Sequence, residues 1–281
     1  MKKQTTQSRF IIVILSVLCV FLSVLLFIAN RVPNSTKPKA ENSGDGDFSP
    51  LLSNAVKGLS KESAKQWSNI SSNTTSDKSA DVRLVWFDSL IIFWDNQNRP
   101  DLSAFFSKEK AQISGKSKDW DYAGKRFFFA VKFIKDAEIQ TRLYSLSKSC
   151  FEKTLSLDPK NVDAKIDLAS CLVESSSNPM EGITMLREIE RKDSNNVKLQ
   201  LTFGFFSVKS QQWERAIARF KKALVLDSNY IEAHLHLADA YEQSGRIKEC
   251  KNELERFLKK TSDPVAKETI QGYLNKLKTT N

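Results

Sequence analysis

Histidine is nearly absent from these 281 residues, and cysteine, glycine and proline are sparse, at 2, 4, 9 and 7. The histidines, His234 and His236, stand two apart. On a helix that is about 200° of rotation, so they cannot ligate one metal together. Cys19, Cys150, Cys171 and Cys250 form no C-x-x-C pair, which removes a zinc knuckle and a redox dithiol. The last three read as small buried helix residues, with a disulfide between two of them as the alternative. No G-x-S-x-G, H-E-x-x-H or G-x-G-x-x-G occurs, so the usual nucleophile, zinc and dinucleotide signatures are missing. Gly115-Lys116-Ser117 resembles the end of a phosphate loop, but Lys110 stands where the leading glycine belongs. No segment alternates polar and apolar long enough to be a strand. The expectation is an all-α chain that is not an enzyme: no catalytic residues, no metal, no cofactor and no small-molecule substrate.

The net charge of +10 is unevenly placed, because Lys2, Lys3, Arg9, Arg31, Lys37 and Lys39 precede the first acidic residue. A nucleic-acid binder would carry its excess as a stripe on the folded part, so no nucleic-acid partner is expected. Between these basic residues runs Phe10–Ala29, uncharged and polar only at Ser16 and Ser23. At about 1.5 Å per residue it matches the roughly 30 Å core of a bilayer. It exceeds the apolar part of a secretory signal, and Phe27-Ile28-Ala29 is a poor cleavage site. The reading is a basic tail over 1–9 and a transmembrane anchor in the lipid bilayer over 10–29. The N-terminus is then cytoplasmic and the remainder periplasmic or otherwise extracytoplasmic.

Residues 30–50 hold Pro33, Pro38, Pro50, Gly44 and Gly46 and no apolar period; they read as a linker of about 25 Å mean span. Residues 51–80 predict an amphipathic helix, Leu51 to Trp67, and a polar loop. Over 81–141 the apolar spacing predicts helical pairs of irregular length, with Asp95–Arg99 breaking one helix, Pro100 opening the next, and Ala130 pairing with Ser147 at a separation of 17 residues where the clear repeats have 12. From 142 to 262 the pattern repeats. Gly182, Ala216 and Cys250 lie 34 apart, as do Leu186, Phe220 and Leu254. Phase-matched small and large apolar residues at this period mean stacked helix pairs, here Val162–Arg191, Val197–Leu226 and Ile231–Lys260. Ala169, Gly204 and Ala238 would let paired helices approach closely, and the large residues would fill the space beyond. The last segment, 263–281, predicts a capping helix, Val265 to Leu277.

Leu237-Ala238, Tyr241, Gly245, Cys250, Leu254 and Phe257 resemble the tetratricopeptide repeat, and the two preceding units match in part. The resemblance covers 142–262, and 81–141 more loosely. It implies a right-handed superhelical stack of helix-turn-helix units behind the N-terminal anchor. In this family the first helix of each pair lines a concave face that holds a protein or peptide ligand. Carried onto this chain, that face is Asp163, Ile166, Ser170 and Val173, then Lys198, Leu201, Phe205, Val208 and Lys209, then Glu232, Leu235, Asp239 and Glu242. The carboxylate clamp of some members is missing, its places being taken by Ile166, Ser170, Thr202, Glu232 and His236. The alternative occupant of the face is a terminal helix of the same chain. The layout resembles bacterial membrane-anchored tetratricopeptide proteins, which implies a tethered scaffold in assembly or maturation of an envelope complex. The alternatives are a cytosol-facing import receptor or chaperone-type protein, or an enzyme with a site around Trp94 and Trp120.

Overall fold

The computed structural model describes residues 48–75, 77–175 and 179–279. The tail, the apolar run 10–29 and the linker as far as residue 47 lie outside them. The described residues form thirteen α-helices and no strand. They divide into two compact units, with the boundary between Glu188 and Ile189.

The expected helix Leu51–Trp67 is two helices, α1 (Ser49–Lys57) and α2 (Lys61–Ser71). Gly58 is a poor helix former, and Ser60 starts the second helix by accepting the Ser63 N–H at 3.1 Å. The fold also begins earlier than the linker boundary suggested. Phe48 is only 3% exposed, stacked on Phe105 at 5.1 Å and covered by the Arg142 guanidinium 4.3 Å from its ring. Then follow α3 (Ala80–Asn96), α4 (Pro100–Ser114), α5 (Ser117–Ala130), a 3-10 turn (Val131–Phe133), α6 (Ala137–Leu157) and α7 (Val162–Ser175). Trp94 is buried between Trp67 and Phe93, with ring centroids 5.2 and 5.1 Å away, and Trp120 is buried too. These tryptophans form core, not the lid of a pocket.

The α3–α4 pair carries the same turn as the clear repeats. Asn98, Gln211 and Gly245 all have positive φ, at 55°, 58° and 78°. In each turn the following N–H reaches back five residues: Arg99 to Trp94 at 2.9 Å, Gln212 to Ser207 at 2.8 Å, Arg246 to Tyr241 at 2.8 Å. Five residues after the positive-φ position stands a fully buried small residue, Ser103, Ala216 or Cys250. Ser103 donates its hydroxyl to the Ile91 carbonyl at 3.1 Å, twelve residues back, the separation that joins Gly204 to Ala216 and Ala238 to Cys250. The pair over 81–113 is therefore in register with the repeat.

The α5–α6 pair corrects the sequence alignment. Spacing suggested Ala130 as the small residue facing Ser147, but the Ser147 hydroxyl donates to the Gly124 carbonyl at 2.9 Å. A Cβ on Gly124 would lie 2.7 Å from the Phe151 ring. The insertion is the 3-10 turn together with two extra turns at the start of α6, which begins ten residues before Ser147, whereas α10 begins three before Ala216. Those added turns bring in Arg142, the residue that covers Phe48.

The remaining helices are α8 (Met180–Lys192), α9 (Val197–Lys209), α10 (Trp213–Leu226), α11 (Glu232–Gln243), α12 (Ile247–Lys260) and α13 (Pro264–Thr279). Gly182 lets α8 approach α7 so closely that a Cβ would sit 2.3 Å from the Ala169 carbonyl. Gly204 does the same beneath the Phe220 ring, at 2.4 Å. Asp193 and Asp227 close the links between pairs by accepting the N–H two residues on, at 2.8 and 2.9 Å. Cys150, Cys171 and Cys250 are buried thiols with no disulfide between them. Burial pushes Cys171 up to about 11 and Cys250 up to about 12, which makes both unreactive.

Candidate functional site

The face inferred from the resemblance falls on α7, α9 and α11, and its residues differ in accessibility. On α7, in the N-terminal unit, Asp163 is exposed and Ser170 and Val173 are half-buried, whereas Ile166 has no exposed surface. Ile166 is therefore core and offers a ligand nothing. Ser170 turns its hydroxyl onto the Ile166 carbonyl at 2.8 Å. Val173 lies against Gly182 of α8.

In the C-terminal unit, Lys198, Phe205 and Val208 are half-buried, Lys209 is exposed and Leu201 is buried at 9%. The Phe205 ring meets Phe220 at 5.5 Å and His236 edge-on at 4.7 Å. His236 in turn stacks on Phe220 at 5.0 Å. This aromatic triad locks the α9–α11 crossing and fixes the orientation of Phe205. Burial holds His236 down at about 2, so the ring is neutral. The histidine that stands at a clamp position is thus a packing residue. Spacing alone could not reveal this, because α9 and α11 meet only in the folded chain.

On α11, Glu232 is exposed and Leu235, Asp239 and Glu242 are half-buried. Tyr273 of α13 donates its hydroxyl to Glu242, and Ala266, Ile270 and Leu274 of α13 join the core of this unit. The C-terminal helix therefore covers the far end of the face. Burial, with the Glu242 charge added, pushes Asp239 up to about 6. What remains accessible is a stripe of Val208 and Leu235 beside the anchored Phe205, edged by Lys198 and Lys209 on one helix and Glu232 on the other. Such a strip can take the apolar side of a helix or an extended chain with flanking charge of either sign. Among the described residues no group of three His, Cys, Asp or Glu is placed to hold a metal ion. No helix among them is long and apolar enough to cross a membrane.

The model of the TPR repeat family matches residues 208–245, the end of α9 through α11. That stretch carries the tetratricopeptide repeat pattern. Among solved structures, a tetratricopeptide repeat protein from Parabacteroides merdae superposes with a TM-score of 0.52 at 8% identity, covering 83% of this chain and 87% of that one. A thermophilic TPR protein of Thermus thermophilus gives 0.49 at 14% identity, over 68% and 96%. MamA from Desulfovibrio magneticus gives 0.40 at 15% identity, over 63% and 93%. The first of these carries the likeness, and at such identity it extends to the fold alone. No curated protein matches the chain.

Proposed function

We propose that this chain is a non-enzymatic, membrane-tethered scaffold that binds a protein or peptide through the first helices of its C-terminal tetratricopeptide pairs. The observation that carries this reading is the half-buried apolar stripe of Val208 and Leu235, set beside a phenylalanine whose ring is already fixed by Phe220 and His236. A pre-organised face loses little freedom on binding, which favours affinity from modest contact area. The apolar run 10–29 anchors the array, the segment after it gives reach, and confinement to a membrane raises the effective concentration of partners on the same surface. In this reading the N-terminus is cytoplasmic, the array is extracytoplasmic, and the task is assembly or maturation of an envelope complex.

The test uses Val208→Glu combined with Leu235→Glu in the full chain. Leu201→Ser and Phe205→Ser are poorer choices, because Leu201 is buried core and Phe205 completes the aromatic triad. Partner crosslinking in intact membranes should be lost while helicity is kept; retained crosslinking removes the concave-face reading. Protease added from the cytoplasmic side should leave residues 48–279 intact, and digestion of that region overturns the topology.

A further inference from the structure

The second helices of the C-terminal unit hold a hollow that the concave face does not use. It has a volume of about 590 Å³ and lies between α10 and α12 above α11. Its floor is Leu224 and Leu237 with a buried polar pair, His234 and Glu253. His234 Nδ1 lies 2.7 Å from one Glu253 oxygen, and Arg256 donates to the other at 2.7 Å. With Nδ1–H committed to the carboxylate, His234 Nε2 is the polar atom left over, and it is buried without a hydrogen-bond partner among the described residues. The rim is Lys221, Arg256 and Lys260, all exposed, with Val225 84% exposed beside them. Two of these cations are positioned rather than loose. Lys221 sits 5.6 Å from the Tyr241 ring, and Lys260 donates to the Ser228 carbonyl at 2.7 Å. The single carboxylate of the lining, Glu253, is turned inward and engaged by both His234 and Arg256.

An apolar floor and a cationic rim define the ligand. We infer that the hollow binds an acidic peptide segment presenting an aliphatic side chain. The aliphatic group lies among Leu224, Val225 and Leu237, and the flanking carboxylates face Lys221, Arg256 and Lys260. The hollow is open along helices of two successive pairs, which suits an extended chain better than an enclosed small molecule. This site depends on neither the membrane anchor nor the concave stripe.

The probe is a fluorescent peptide with blocked ends, Glu-Glu-Leu-Glu-Glu, titrated by anisotropy into the full chain in neutral detergent. Saturable binding is expected, weakening with added salt. It should fall about tenfold or more for Lys221→Glu with Lys260→Glu, two exposed changes that leave helicity unaltered. Replacing the peptide's leucine by serine should weaken it comparably, and Val225→Asp should also weaken it. Leu235→Glu should leave it unchanged, which separates this site from the concave face. Absence of saturable binding, equal binding by the rim variant, or loss only in Leu235→Glu overturns the proposal. So does displacement of the peptide by phosphatidylglycerol vesicles, or rim-dependent self-association in sedimentation, which would assign the hollow to lipid or to a second copy.

Discussion

The two units of this chain solve one packing problem with different materials. The C-terminal unit packs alanine, leucine and single phenylalanines at fixed phase, so its repeat is visible in the sequence. The N-terminal unit fills its core with large rings, among them Phe48, Phe87, Phe93, Trp94, Phe106 and Phe127. These interlock irregularly, and the period is lost to view. Yet the α3–α4 turn, with Asn98 in the left-handed region and Ser103 against the Ile91 carbonyl, has the geometry of the turns at Gln211 and Gly245. Backbone geometry is therefore the constant part of the unit within this chain, and side-chain size is the free part.

The comparison can be broken most forcefully at the aromatic core. Phe127→Ala should cost about 3–5 kcal/mol, read from urea unfolding of the full chain, because Phe127 is fully buried and shares its cluster with Phe48. A loss below about 1 kcal/mol would show that the rings are not what holds the N-terminal unit. The glycine crossings come next. Gly124→Ala and Gly204→Ala should each cost about 1–3 kcal/mol, since each new Cβ would meet a buried phenylalanine ring at 2.7 or 2.4 Å. Neutrality of Gly124→Ala would undo the register assigned to α5 and α6.

A pH experiment addresses the C-terminal unit alone. The folded state raises Asp239 from 3.8 to about 6, so it binds this proton more tightly than the unfolded chain does. The resulting stabilisation is complete below about pH 4 and is lost as pH rises towards 6. Asp239→Asn should flatten that slope and raise stability at pH 7 by about 1–2 kcal/mol; an unchanged slope would contradict the burial assigned to this carboxyl. The smallest effects lie in the shared turn. Asn98→Gly and Gln211→Gly should each stabilise by about 0.5–1 kcal/mol, because glycine meets no steric cost at positive φ. A gain at Gln211 with a loss at Asn98 would separate the two turns that the comparison unites.

Much of this architecture was legible in the sequence. Gly182, Ala216 and Cys250 marked the crossings, and Pro100 opened α4. Three features were not legible. The split between α1 and α2 was hidden because the apolar period runs on across Gly58. The α5–α6 register was hidden because two extra turns of α6 move Ser147 away from its partner, leaving Ala130 as a misleading small residue. The burial of Phe48 was hidden because it follows a Gly- and Asp-rich stretch and depends on Arg142, 94 residues further on. For the face, the residue types on α9 and α11 were readable. The loss of Ile166 to the core, the role of His236 as a spacer and the closure of Glu242 by Tyr273 all depend on which helix packs next, information that no single helix contains.

The most direct measurement is site-specific photocrosslinking in the cells that make this protein, with the reactive side chain placed in turn at Val208, Leu235 and Val265. A ligand on the first helices gives a protein adduct from positions 208 and 235 and none from 265 on the exposed side of α13. Adducts from position 265 alone, or equal yields from all three, contradict it.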